Sequence, residues 1–118
     1  MKLIEHFISG KKYSGSSKRT SKVFDPATGD QKAEVKLATT QDVNKAVENA
    51  KNSFEMWSNT TPLQRARVMF KFKELIEKNS DELTKIIVSE HGKVYDDARG
   101  SLTRGLEVVE YACGIPQM

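Results

Sequence analysis

With 118 residues, 37% hydrophobic and 30% charged, the chain is long enough for one modest core and too apolar to be a disordered segment. No apolar run approaches the roughly 18 residues of a spanning helix, and the start, Met-Lys-Leu-Ile-Glu-His-Phe, lacks a secretory hydrophobic region. A net charge of +3 and a single cysteine exclude an internal disulfide and argue against a dedicated nucleic-acid binder. Cytosol is the default location, with the mitochondrial matrix as the alternative.

Positive charge concentrates in Lys11, Lys12, Lys18, Arg19 and Lys22, among serines and glycines. Only Tyr13 is nearby to stack a base, so a solvated loop is the plainer account than a phosphate-binding arm. His6 to Tyr13 reads as two short strands around Ser9-Gly10, a hairpin signal. Ser21 to Asp25 is a strand stopped by Pro26, and Asp25-Pro26-Ala27-Thr28-Gly29 is a turn. Gln31 to Leu37 alternates, with Ala33, Val35 and Leu37 on one face. Residues 1–38 are therefore expected to form an antiparallel meander.

The period then changes to 3.6. Thr40 is the expected N-cap of a helix with Asp42 in its first turn. Val43, Ala46, Val47, Ala50, Phe54 and Trp57 make one narrow apolar stripe, so this helix should rest on something. Thr61-Pro62-Leu63-Gln64 restarts a helix by capping chemistry. Its polar side is only Arg67, Lys71, Glu74 and Lys78, and an apolar arc this wide predicts burial on more than one side. Asn79-Ser80-Asp81-Glu82 marks a break and a new cap, and Leu83, Ile86, Ile87 and Glu90 carry a further helix to Gly92, a C-cap glycine.

The last helix, from near Tyr95, has two unlike faces. Val94, Ala98, Leu102, Leu106, Val109 and Cys113 form the core stripe. Opposite lie Gly100, Arg104, Glu107, Val108 and Tyr111. Gly100 and Gly105 each cost a helix interior about 1 kcal/mol relative to Ala, so their presence around Arg104 asks for a reason. Gly100 lies four residues before Arg104 and leaves that side uncovered, which predicts a guanidinium held open beside a cleft. A solvated Arg104–Glu107 ion pair is the simpler alternative from spacing alone. So apolar a set of helices is poorly covered by a small meander, and part of the intended core is expected outside these residues, or from oligomerisation.

Catalytic constellations are lacking. His6 and His91 have no companion ligands at metal spacing, and no glycine-rich phosphate loop occurs. Asp96-Asp97 read as dipole partners, and Cys113, on the apolar stripe near a helix C-terminus, reads as structural.

Several runs together resemble the N-terminal segment of the aldehyde dehydrogenase superfamily. They are Phe7-Ile8-Ser9-Gly10-Lys11, Phe24-Asp25-Pro26-Ala27-Thr28-Gly29, Ala50…Phe54…Trp57, Thr61-Pro62-Leu63-Gln64-Arg65 and Glu90-His91-Gly92-Lys93 followed by Asp97-Ala98. His91 stands where other members often carry Gln. Gly100-Ser-Leu-Thr-Arg-Gly-Leu-Glu-Val-Val-Glu-Tyr-Ala-Cys113 is most similar to the CoA-acylating methylmalonate-semialdehyde dehydrogenases. The resemblance implies an α/β fold represented by its N-terminal part, a short antiparallel β meander (residues 1–38) followed by about four α-helices (residues 39–118). The chain would be truncated after 118, without the catalytic domain. It implies NAD-dependent oxidation of malonate or methylmalonate semialdehyde to acetyl- or propionyl-CoA with loss of carbon dioxide, as in valine or inositol breakdown. NAD and coenzyme A would serve the full-length enzyme and not this segment alone. The partners implied are the remainder of the dehydrogenase chain and further copies in a tetramer, with no nucleic acid and no membrane. Among site residues the resemblance carries over only Arg104, as the arginine that grips the substrate carboxylate; the catalytic cysteine is not Cys113. The alternatives are a fragment of another NAD(P)-dependent aldehyde dehydrogenase, for a different acidic or polar aldehyde, and a standalone non-catalytic helical binding module using the basic arm from Lys11 to Lys22.

Overall fold

The computed structural model describes all 118 residues. Five strands come first: β1 (Lys2–Ile4), β2 (His6–Ile8), β3 (Lys11–Tyr13), β4 (Thr20–Phe24) and β5 (Gln31–Lys36). Four helices follow: α1 (Thr40–Asn59), α2 (Pro62–Lys78), α3 (Ser80–His91) and α4 (Tyr95–Cys113), with a 3-10 turn at Ile115–Gln117. The chain divides into two compact units, Met1–Asn59 and Thr60–Met118. The change from strand to helix at residues 37–40 thus lies inside the first unit, because α1 belongs with the strands.

The expected single antiparallel meander is corrected in two respects. The hairpin β2–β3 forms as read, with Phe7 opposite Lys12, and Ser9 (φ 57°) and Gly10 (φ 73°) make its two-residue turn. It stands apart from a three-stranded sheet of order β1-β5-β4. In that sheet β4 and β5 are antiparallel, but β1, a strand not expected, lies parallel to β5 with Leu3 opposite Glu34. Three residues are too few to show an alternation, and their partner lies some 30 positions along the chain, so no local pattern announces β1. The turn between β4 and β5 closes as its residues dictate: Ala27 N donates to the Asp25 carboxylate at 2.8 Å and Gly29 N to the Asp25 carbonyl at 2.8 Å.

The cap of α1 sits one residue earlier than expected. Thr39 Oγ1 accepts from Asp42 N at 3.2 Å while Asp42 Oδ2 accepts from Thr39 N at 2.8 Å. This reciprocal pair is a capping box, so Asp42 satisfies a specific donor rather than only complementing the dipole. Thr61 caps α2 as read, accepting from Gln64 N at 3.3 Å. Asn79 turns its side chain back to the Leu75 carbonyl at 2.7 Å and gives no side-chain cap to α3. Gly92 (φ 80°) closes α3 in the left-handed region, its N–H reaching Val88 O at 2.8 Å.

In the second unit α4 packs against both α2 and α3, and Lys73 of α2 reaches Glu110 of α4 at 3.4 Å while bonded to Glu77 at 2.5 Å. The buried residues are small or polar: Ala66, Ala98, Thr84 and Cys113 here, Ser17, Ala33 and Asp42 in the first unit. No large apolar side chain is fully buried, and more than half of them are exposed, the rest being half-buried. Val43, Val47, Phe54 and Trp57 along α1, and Leu63, Val68, Phe70, Phe72 and Leu75 around α2, are all exposed. The accessible surface is 8974 Å² for 13.3 kDa. Even two separate compact bodies of half this mass would together expose only about 7,800 Å². The expected burial of α2 on more than one side is not seen: within its own unit only Ala66 of that helix is buried, and the apolar stripe of α1 is likewise open within its unit. No helix is long and apolar enough to cross a membrane.

Candidate functional site

The face of α4 opposite its core stripe carries the one candidate site residue. Ala98 and Cys113 are enclosed, and Leu102, Leu106 and Val109 are half-buried on the inner side; Val94 precedes the helix and is exposed. One hundred degrees per residue then forces Arg104, Glu107, Val108 and Tyr111 outward, and all four are exposed. Two apolar side chains, Val108 and Tyr111, lie bare on the same face as the arginine.

Arg104 does not pair with Glu107. The ion pairs of α4 are Lys73–Glu110, Lys93–Asp97 and Arg99–Asp81, and Arg104 is in none of them. Its side chain runs back toward the helix N-terminus, the direction that helical rotamers favour. Nη2 lies 3.3 Å from Ser101 Oγ, and Nη1 would stand 3.6 Å from a Cβ at position 100. The guanidinium lies over Gly100, but a Cβ there would make only an ordinary contact, so the position does not require glycine. Nor does position 105 within this chain, since nothing comes within 4 Å of a Cβ there.

The cleft beside α4 is not where the open guanidinium was expected to look. A cavity of about 230 Å³ is lined by Ile76, Glu77, Ser80, Arg99, Leu102, Thr103 and Leu106. It belongs to the inner side of α4, with Arg99 as its cation, whereas Arg104 faces away from the helices that enclose it.

Ser101, which sequence reading passed over, connects the charged groups. Its hydroxyl donates to the Asp97 carbonyl at 3.2 Å, and its oxygen meets Lys93 Nζ at 2.9 Å and Arg104 Nη2 at 3.3 Å. Lys93 Nζ also lies 3.7 Å from Asp97 Oδ2. A spacing of three between Ser101 and Arg104 could have signalled the contact, but the reach of Lys93 across the interhelix bend could not.

Elsewhere the chemistry is structural. Asp42, 2% exposed, accepts from Thr39 N and Oγ1, Ser16 N and Tyr13 Oη at 2.7 to 3.0 Å. The Thr39 backbone and hydroxyl bonds, then the Ser16 amide and the Tyr13 hydroxyl, hold its carboxyl well below the usual range against the opposing effect of burial. The same hydrogen bond raises Tyr13, and Lys45 Nζ sits 4.2 Å over the Tyr13 ring. His6 Nε2 is enclosed without a partner. No group of three or more His, Cys, Asp or Glu side chains converges as a metal site would need. The glycines with positive φ (10, 15, 29 and 92) lie in turns, a loop and a helix C-cap. None joins a strand directly to a helix, the position that would cradle a dinucleotide phosphate.

The aldehyde dehydrogenase family model matches residues 13–118. A malonate-semialdehyde dehydrogenase of Pseudomonas aeruginosa is 41% identical over 118 residues, all of this chain and 24% of that protein. Malonate-semialdehyde dehydrogenase 2 of Oceanobacillus iheyensis is 38% identical over the same span, again 24% of its length. The crystal structure of a methylmalonate-semialdehyde dehydrogenase from Oceanimonas doudoroffii superimposes with a TM-score of 0.95 at 48% identity, covering 99% of this chain and 24% of that one. An NAD-dependent benzaldehyde dehydrogenase from Corynebacterium glutamicum matches with a TM-score of 0.89 at 26% identity, over 96% of this chain and 25% of that one. The chain thus spans about a quarter of the length of the proteins it matches.

Proposed function

This chain belongs to the aldehyde dehydrogenase family, and we propose that it is the N-terminal segment of a CoA-acylating dehydrogenase for malonate or methylmalonate semialdehyde. In that reading the full-length protein oxidises the semialdehyde with NAD as hydride acceptor. The acyl group passes to coenzyme A, and the substrate carboxylate leaves as carbon dioxide. NAD and coenzyme A are assigned to polypeptide outside these residues, because this segment supplies no strand-to-helix glycine turn. Its own contribution is scaffold and one substrate contact. The remaining dehydrogenase chain covers the apolar faces of α1 and α2, and the whole assembles as a homotetramer in the cytosol.

The observation that carries the substrate assignment is the state of Arg104. A guanidinium on an exposed helix face, in none of the ion pairs of α4 and rested on Gly100 and a neutral serine, keeps its donors available for an incoming carboxylate. Arginine suits that task because its planar fork matches a carboxylate with two parallel bonds. The high identity to semialdehyde dehydrogenases supports the same class of substrate.

Replacing Arg104 by Leu in the full-length dehydrogenase tests the reading. KM for the carboxylated semialdehyde should rise by about 10- to 100-fold, the cost of a lost charge-assisted bond, while KM for propanal stays within about twofold. Equal effects on both aldehydes overturn the role. A dehydrogenase for another acidic aldehyde would show the same selectivity with a different preferred substrate.

A further inference from the structure

We propose that Ser101, braced by Lys93, is a positioning residue that sets the guanidinium of Arg104 for the carboxylated substrate. The inference rests on the reading of Arg104 given above and adds two residues to it.

A serine hydroxyl has one hydrogen to donate and two lone pairs to accept with. At Ser101 all three are used, each by a different partner. The hydrogen goes to the Asp97 carbonyl one turn back (3.2 Å), one lone pair to Lys93 Nζ (2.9 Å) and the other to Arg104 Nη2 (3.3 Å). Saturation fixes the hydroxyl rotor, because any rotation would break a bond to a cation. An exposed arginine otherwise samples many rotamers, and ordering it on substrate binding costs free energy. A fixed hydroxyl removes part of that cost before the substrate arrives.

The geometry also brings two like charges together. Lys93 Nζ and Arg104 Nη2 bond to one oxygen, so they lie within about 6 Å of each other by the sum of the two distances, where two cations repel appreciably. Asp97 is the one carboxylate within ion-pair distance of either cation, 3.7 Å from Lys93, and Arg104 is in no ion pair. Repulsion between the two cations is relieved when an anion arrives, so Lys93 (one-fifth exposed at its side chain) adds to the attraction for a carboxylate without needing to touch it.

The test uses the full-length dehydrogenase and compares Ser101→Ala, Ser101→Thr, Lys93→Met and Arg104→Leu, each with the carboxylated semialdehyde and with propanal. Ser101→Ala suits a helix and should fold normally. It should raise KM for the semialdehyde about fivefold, the scale of one hydrogen bond to a charged group, with kcat and the propanal KM unchanged. Ser101→Thr keeps the hydroxyl and should restore KM to within about twofold. Lys93→Met should raise the semialdehyde KM and flatten its dependence on salt. If Arg104→Leu is selective while Ser101→Ala is not, the positioning role is wrong and the reading of Arg104 stands. If Arg104→Leu shows no selectivity, the reading itself fails, and this inference with it.

Discussion

Tyr13, at the end of β3, donates its phenolic hydrogen to Asp42 Oδ1 at 2.9 Å, joining residues 29 positions apart in the chain. Asp42 is at once the third residue of α1, half of a capping box with Thr39, and an acceptor for the Ser16 amide. One enclosed carboxylate therefore holds the hairpin, the loop after it and the start of the helix.

Acid should loosen this junction selectively. The Thr39 and Ser16 bonds keep the Asp42 carboxyl below its ordinary value of about 3.9. Its contribution to stability is therefore complete above about pH 4 and is lost as pH falls from there through the depressed folded value. The protection of the Ser16 and Thr39 amides against hydrogen exchange, taken relative to their intrinsic rates at each pH, should fall below pH 4 ahead of amides in the α3–α4 pair. Asp42→Asn should speed exchange at both amides at neutral pH and remove the acid dependence. An unchanged pH profile in that variant contradicts the assignment.

Gly15 and Gly29 share the left-handed region, with φ of 73° and 80°, but not their surroundings. A Cβ at 15 would meet His6 Nε2 at 3.1 Å and Asp42 Oδ2 at 3.3 Å, whereas nothing lies within 4 Å of one at 29. Gly29→Ala should cost about 1 kcal/mol from the backbone alone. Gly15→Ala should cost about 1–3 kcal/mol more, because the crowded atoms belong to an enclosed carboxylate junction. Denaturant unfolding of the two variants measures the difference; equal costs would show that the crowding is relieved freely.

Position 100 separates helix propensity from room for the guanidinium. A Cβ there makes an ordinary contact, 3.6 Å from Arg104 Nη1. Gly100→Ala should leave the semialdehyde KM within about twofold and stabilise α4 by up to about 1 kcal/mol. Gly100→Leu would fill the space over which the guanidinium rests. It should raise the semialdehyde KM by about tenfold, approaching the effect of losing the charge-assisted bond itself. Steady-state kinetics of both variants with the semialdehyde and propanal provide the check.

The bare faces of α1 and α2 predict how the 118-residue chain behaves alone. Phe54, Trp57, Phe70 and Phe72, 44% to 67% exposed, should bind a hydrophobic dye and drive concentration-dependent association. Replacing Phe54 and Phe72 by Gln should reduce both. In the full-length dehydrogenase Phe72→Ala should instead destabilise by about 3–5 kcal/mol, the range for a buried aromatic. Sedimentation and dye binding test the isolated chain; a cooperatively melting monomer that excludes the dye would refute the argument.

The helices were legible because capping chemistry is local. Thr61-Pro62 and Gly92 mark ends that the structure places at the same residues, and the Ser9-Gly10 turn needs only its own two φ values. The stripe of α4 was legible too, since Ala98, Leu102, Leu106, Val109 and Cys113 face inward as their period requires. What could not be read depends on distant partners. Thr84 rather than Ile86 is the fully enclosed residue of α3, whereas the capping of α1 by Thr39 rather than Thr40 was a local signal that was misread, Thr39 and Asp42 being three residues apart. Periodicity locates a face but not which neighbour approaches closely enough to demand a small side chain. At the site, spacing alone favoured an Arg104–Glu107 ion pair, and it was the family resemblance that singled out Arg104 for a substrate carboxylate. Ser101 was missed although it lies three residues before Arg104, and Lys93 because its reach across the interhelix bend has no signature in spacing.

The parallel pairing of β1 with β5 has a consequence for biosynthesis. Leu3 emerges from the ribosome some 30 residues ahead of Glu34, its partner in the ladder, a lag of about 2–6 s at ordinary translation rates. During that interval β2 and β3 can close as a hairpin, while β1 has nothing to add to. Within this sheet β1 waits longest for its partner, and slowing elongation between residues 5 and 36 would prolong the time for which its edge stays open to a chaperone or to a neighbouring nascent chain.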